Sequence, residues 1–270
     1  MEQTTPLSEL GRKIFFVNPS FSIRSRILPQ LMEHEYEIYT FSGYARIKGY
    51  LTVHKNAVLF INPEQQLSIS AWIRLIKSIQ DDPEFNSTKI GILCDHLPAT
   101  DELLLMNSHL ISAGIFHAEG NAEQLLPGIV QKLESLKAKG RRRFLRTSCV
   151  KDANARFLWI QGDRMYQARV IDLSTGSLAI LLPSETIPFL NTQSDIFATL
   201  QFHTKQVQIQ AKSLIVKKKS SCTHAVIFMI TGRTPLESIA MIRTYVYEML
   251  AKEMELSVQG QETDKTNYHT

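Results

Sequence analysis

Arg141-Arg142-Arg143-Phe144-Leu145-Arg146 is the stretch across which the sequence changes character. Before it, continuous apolar runs alternate with segments of helical spacing. After it, apolar and polar residues alternate at period two. Four of its six residues are arginine, which makes it a concentrated array of permanently charged donors. Guanidinium forks match phosphate oxygens and the O6/N7 edge of guanine, and their planes stack on bases. Taken alone, a run of this kind is also what a solvated basic linker looks like.

Upstream, Lys13–Asn18 reads as a short buried strand, followed by a helix-like stretch Ile23–Glu33 that Pro29 should kink or shorten. Tyr36–Thr40 is a second strand candidate. Ala57–Asn62 and Lys89–Asp95 are unbroken apolar runs, as in parallel strands covered on both faces. Between them, Ile69, Trp72, Ile73, Leu75, Ile76 and Ile79 recur at helical spacing. Leu103–Ile111 is a further helix, and Gly114–Phe116 a fifth strand. A last helix opens near Asn121 and carries Leu125, Leu126, Ile129, Val130, Leu133 and Leu136, with Pro127 and Gly128 early in it. Five alternations of strand and helix predict a doubly wound α/β domain with a parallel sheet.

Downstream, Arg156–Ile160, Met165–Val170, Ser177–Leu182, Ile196–His203, Val207–Ala211 and Val226–Ile230 read as short strands joined by turns. This is the pattern of a small antiparallel barrel or sandwich. Thr234-Pro235-Leu236-Glu237 is a helix start with a capping threonine. Its helix should run to about Glu255, and the polar residues after Val258 read as a disordered tail. The predicted organisation is an α/β domain over 1–138, a basic junction over 139–147, a barrel with its helix over 148–256 and a tail over 257–270. The junction is then the sole covalent link between the two domains.

A second motif lies within the barrel segment. In Val170-Ile171-Asp172-Leu173-Ser174-Thr175-Gly176-Ser177-Leu178-Ala179-Ile180, two apolar runs flank a polar turn. Asp172 can accept from the N1–H and N2–H₂ of guanine, Ser174 can offer a hydroxyl, and Gly176 permits a tight turn. An arginine cluster followed by Asp-x-Ser at a turn resembles the PilZ domain, the family of cyclic di-GMP receptors. Its pattern is Arg-x-x-x-Arg on the entry segment and then Asp/Asn-x-Ser-x-x-Gly. Arg142 and Arg146 match the first part, Asp172 and Ser174 match most of the second, and Ser177 stands where the pattern has glycine. The resemblance covers residues 141 to about 256. It implies a non-enzymatic receptor whose ligand, cyclic di-GMP, is held by Arg141, Arg142, Arg146, Asp172, Ser174, Gly176 and Ser177. It also implies a downstream protein partner. A ligand-independent adaptor built on the same barrel is the alternative.

The first half resembles the receiver domain of response regulators. Phosphotransfer there needs acidic residues after the first strand to hold Mg²⁺ and an acceptor Asp after the third. Here the first strand ends in Asn18-Pro19 and the third in Asn62-Pro63. His117-Ala118-Glu119 stands where the family places Lys-Pro. The reading is a pseudo-receiver, with the fold kept and the chemistry lost.

Composition closes off other classes. The net charge of +4 is too mild to imply nucleic-acid binding, and no DNA contact is expected. The start of the sequence lacks a signal-peptide apolar core and no apolar run reaches membrane length, so a cytoplasmic protein is expected. Cys94, Cys149 and Cys222 form no Cys-x-x-Cys pair, the eight histidines are dispersed, and no Walker-type loop occurs. Ser174 has no His and Asp in a recognisable nucleophile setting. No metal, cofactor or catalysis is expected.

Overall fold

Strands β1 (Lys13–Val17), β2 (Ile38–Phe41), β3 (Ala57–Ile61), β4 (Lys89–Cys94) and β5 (Gly114–His117) pair in parallel in the order β2-β1-β3-β4-β5. The computed structural model describes residues 11–118, 122–189 and 195–267. It separates into one unit of Met1–Arg143 with Met254–Thr270 and another of Phe144–Glu253. The unbroken apolar runs are the reason for the parallel sheet: all five residues of β3 are buried, as expected of a central strand covered on both faces.

The intervening helices are α1 (Leu28–Glu33), α2 (Ile47–Val53), α3 (Ile69–Gln80), α4 (Ala99–Asn107) and α5 (Ala122–Ser135). The hydroxyl of Ser68 caps α3 by accepting from the amide of Ala71, and Trp72, Ile76 and Ile79 form its buried stripe. Pro29 lies within a helical run unbroken from Phe21 to Glu33, just after a π-helical turn Ile23–Ile27, an irregularity of the kind expected where a residue cannot donate its backbone hydrogen bond. α2 was not visible in the sequence. It is only seven residues long and buries Ile47, Tyr50 and Leu51, too few apolar positions to establish a period. Pro127 lies inside α5, whereas Asn121 falls outside the described residues.

In the second unit, β6 (Thr147–Ser148), β7 (Arg156–Gln161), β8 (Arg164–Leu173), β9 (Ser177–Pro183), β10 (Ile196–Phe202), β11 (Lys205–Lys218) and β12 (Thr223–Ile230) form one antiparallel sheet, ordered β6-β8-β7-β10-β11-β12-β9. A further pairing of β9 with β8 closes six of these strands into a barrel, with β6 attached to β8 alone. Period-two alternation fills the interior: Phe157, Val170, Ile180, Leu200 and Phe228 are all at 0% exposure.

Helix α6 (Leu236–Asn267) packs Ile242, Tyr245, Val246 and Met249 into this core. Thr234 does not cap it. Its hydroxyl accepts from the amide of Gln210 and donates to that residue's carbonyl, fastening the start of the helix to β11.

Two expectations are corrected here. The helix does not stop near Glu255 but continues to Asn267, so much of the stretch read as a disordered tail is helical. Within the first unit, Glu255 accepts from Tyr50 and pairs with Arg46, and Met254 and Val258 are buried. Those few contacts give the helix a reason to continue that no apolar repeat announces. The junction is also not the only covalent link, because the chain returns to the first unit between Glu253 and Met254.

Candidate ligand-binding site

The entry segment is ordered by its two apolar residues. Leu145 packs against the barrel core, and the ring of Phe144 lies on Gly176. A Cβ built on Gly176 would stand 2.9 Å from Phe144 Cζ and closer still to Cδ2 and Cε2. Gly176 is thus required for close approach of a ring, not for a left-handed turn, since its φ is not positive. Beyond Phe144, Thr147 and Ser148 pair antiparallel with Leu173 and Asp172. The arginine segment therefore runs directly into a strand laid along the end of β8 that bears Asp172.

The Asp172–Ser177 turn is held by Ser174. Its amide and its hydroxyl both donate to the carbonyl of Ser177, at 2.8 and 2.9 Å, and its oxygen accepts from the Ser177 amide at 2.9 Å. The two hydroxyl oxygens are 3.1 Å apart. Ser174 is 0% exposed. Its place in the structure is to fix the turn; presentation of its hydroxyl to a ligand, expected from the motif, has no support in this geometry. Ser177 opens β9 without a positive φ, so a side chain is unstrained there.

Asp172 is half-buried beside a bulge in β8 at Ile171, pairs with Ala179 on β9, and belongs to the outer face of the barrel. Arg146 is exposed and enters no hydrogen bond or ion pair among the described residues. Arg141 and Arg142 are likewise exposed and group with the first unit; Arg146, Asp172, Ser174, Gly176 and Ser177 belong to the second.

Behind the site, Tyr245 of α6 donates to Asp152 Oδ2 at 2.8 Å and lies 3.8 Å from Cys149 Sγ. Burial pushes the Cys149 thiol up to about 12 and raises the Tyr245 phenol as well, so both stay neutral. This anchored loop directly follows β6. Sequence reading missed it, because Asp152 and Tyr245 are 93 residues apart.

In fold, the chain is a parallel α/β unit followed by an antiparallel six-stranded barrel with a C-terminal helix. No family model and no curated protein matches the sequence. Among solved structures, the PilZ domain of YcgR from Escherichia coli with c-di-GMP is 17% identical, with a TM-score of 0.36, over 43% of this chain and 97% of that one. The K. pneumonia MrkH–c-di-GMP complex is also 17% identical, with a TM-score of 0.36, over 43% of this chain and only 55% of that one. The chemotaxis response regulator CheY4 of Vibrio cholerae is 16% identical, with a TM-score of 0.37, over 47% of this chain and 98% of that one.

In the first unit, asparagines follow the ends of β1 and β3. Asn18 Oδ1 accepts from the amide of Gly43 at 2.9 Å and from Gln66 Nε2 at 3.1 Å. Asn62 Oδ1 accepts from the amide of Glu64 at 3.1 Å. The Glu64 carboxylate accepts from the amides of Asp95 and His96, at 3.1 and 2.8 Å. Asn18 and Asn62 are both buried; Asn18 ties the end of β1 to the loops after β2 and β3, and Asn62 closes the turn that follows β3. Among the described residues, no group of three or more His, Cys, Asp or Glu side chains is placed to hold a metal ion.

Proposed function

We propose that this protein is a non-enzymatic receptor for cyclic di-GMP, with Arg142 and Arg146 closing on a ligand held against the outer face of the barrel at Asp172. The observation that carries the reading is the pairing of Thr147–Ser148 with Leu173–Asp172, which sets Arg146 one residue before a strand that lies beside Asp172. A ligand with two phosphodiesters and two guanines offers the guanidinium forks both partners they suit, and offers the Asp172 carboxylate a guanine N1–H/N2–H₂ edge. Arg141 adds charge to the same segment. Gly176 and Ser174 act indirectly, by seating Phe144 and fixing the turn.

The output under this reading is a change in the freedom of the two units. Engaging the arginines would restrain the first of the two covalent crossings, while α6 carries the second. A ligand drives such a change only as far as it prefers the closed state. A cytoplasmic receptor passing its signal to a protein partner, with neither DNA nor a cofactor involved, is the corresponding setting; no helix among the described residues is long and apolar enough to cross a membrane.

The second reading, an adaptor that needs no ligand, draws support from Ser174, whose hydroxyl is buried and engaged within its own turn. Calorimetric titration with cyclic di-GMP separates the two. The receptor reading expects saturable binding, and no heat of binding at any ligand concentration would leave the adaptor.

A further inference from the structure

The outer face of β8 carries more than Asp172. Arg169 lies on the same face, separated from Asp172 by the bulge at Ile171. Their partners on β9, Leu181 and Ala179, are two residues apart, which is ~7 Å along a strand. Across β7, Arg169 is paired directly with Arg156. Like charges directly opposed on antiparallel strands destabilise the pair, and both of these arginines are exposed. Neither has an acidic partner among the described residues. The Arg169 side chain donates to the carbonyl of Val150, and the Arg156 side chain makes no hydrogen bond or ion pair among those residues.

β6 and β7 lie in succession along the same edge of β8, so Ser148 opposite Asp172 is followed by Arg156 opposite Arg169. The basic surface that begins at Arg146 thus continues past Asp172 along the barrel. We infer that Arg156 and Arg169 are further anion-binding residues of this face, and that they contact a phosphodiester of the cyclic dinucleotide. The inference rests on the receptor reading above and extends its site by two residues outside the Arg-x-x-x-Arg and Asp-x-Ser motifs. Two arginines paired across adjacent strands, with no acidic partner among the described residues, gain a shared anionic partner when a phosphate binds over them, and a fork geometry favours arginine over lysine for that contact.

The test is a calorimetric titration of the full chain with cyclic di-GMP, comparing wild type with Arg156→Ala, Arg156→Glu and Arg164→Ala. Arg156 is the cleaner site for substitution, because Arg169 also fastens the loop at Val150. Arg164 opens β8 at its far end, so its removal controls for loss of net charge. We expect Arg156→Ala to weaken binding roughly tenfold, Arg156→Glu to weaken it further, and Arg164→Ala to stay within about twofold of wild type.

Weaker affinity at an unchanged ratio means that the pair reads the same ligand molecule. A halved ratio means that it holds a second stacked molecule, and either result supports the inference. Affinity and ratio in Arg156→Ala matching those of Arg164→Ala would overturn it while leaving the receptor reading intact. Absence of binding by the wild type would instead sink the receptor reading itself.

Discussion

The amide oxygens of Asn18 and Asn62, at the ends of β1 and β3, accept hydrogen bonds within the protein, whereas Arg146, just before the strand that lies along the end of β8, is exposed and without a partner among the described residues. Asn18 and Asn62 are at 6% and 2% exposure, and their carbonyl oxygens hold the loops that follow β2 and β3. Arg146 stands exposed one residue before a strand that is itself pinned by Phe144 and Leu145. The first arrangement serves the loops that carry it, since amides can satisfy backbone groups but cannot attack phosphorus or neutralise a divalent ion. On the receptor reading proposed above, the second suits a partner from outside, because the strand is fixed while the Arg146 charge is not engaged. A polar cluster becomes a binding site when its backbone is held by something other than the polar atoms themselves.

The largest expected effects would break the exposed side of this contrast. Arg146→Ala and Arg142→Ala should each cost on the order of 1.5–3 kcal/mol of cyclic di-GMP binding, or roughly tenfold to a hundredfold. Lysine at either position should not restore it, lacking the fork and the stacking plane. Titration calorimetry reads both.

Gly176→Ala tests whether the strand is held as described. The new methyl group meets the ring of Phe144, and overpacking of this kind costs roughly 1–3 kcal/mol. Denaturant unfolding of the single variant should show that loss, and adding Phe144→Ala should recover part of it. Additive losses would mean that ring and glycine do not share one space.

Tyr245→Phe should cost about 0.5–1.5 kcal/mol by removing a buried donor from Asp152. Since Asp152 lies in the loop after β6, hydrogen exchange in Cys149–Ala155 should quicken more than in β10, which Tyr245 does not touch by hydrogen bond.

Ser177→Gly is the smallest of these effects. Without a positive φ at Ser177, glycine relieves no strain, and it loses the hydroxyl contact with Ser174. Melting temperature should fall slightly and affinity should change less than about twofold. Tighter binding with a higher melting temperature would show a strained serine. For the first unit the expectation is nil: acetyl phosphate should leave the mass of the protein unchanged, and a one-phosphate shift abolished by Asp95→Asn would show that the carboxylate following β4 accepts phosphate after all.

The two halves of the fold were legible because each buries its apolar residues at its own period: unbroken in β3, alternating in β10. The turn after Asp172 was legible too, being a local motif. Distant partners were not. Gly176 looks like a turn residue until Phe144, 32 positions earlier, is seen resting on it. Thr234 looks like a helix cap, but Gln210 claims its hydroxyl. Where α6 continues past Met254 no apolar repeat announces it, and Glu255 there is held by Arg46 and Tyr50, two hundred or more residues away in sequence. Arg156 and Arg169 belong to no motif, and only strand register sets them face to face.

The most direct test of the contrast between the two regions is hydrogen–deuterium exchange of the full chain with and without saturating cyclic di-GMP. We predict slowed exchange across Arg141–Ser148 and Asp172–Ser177, and no change in the loops after β2 and β3 that Asn18 and Asn62 hold. Protection confined to those loops, with Arg141–Ser148 exchanging at the ligand-free rate, would contradict the account.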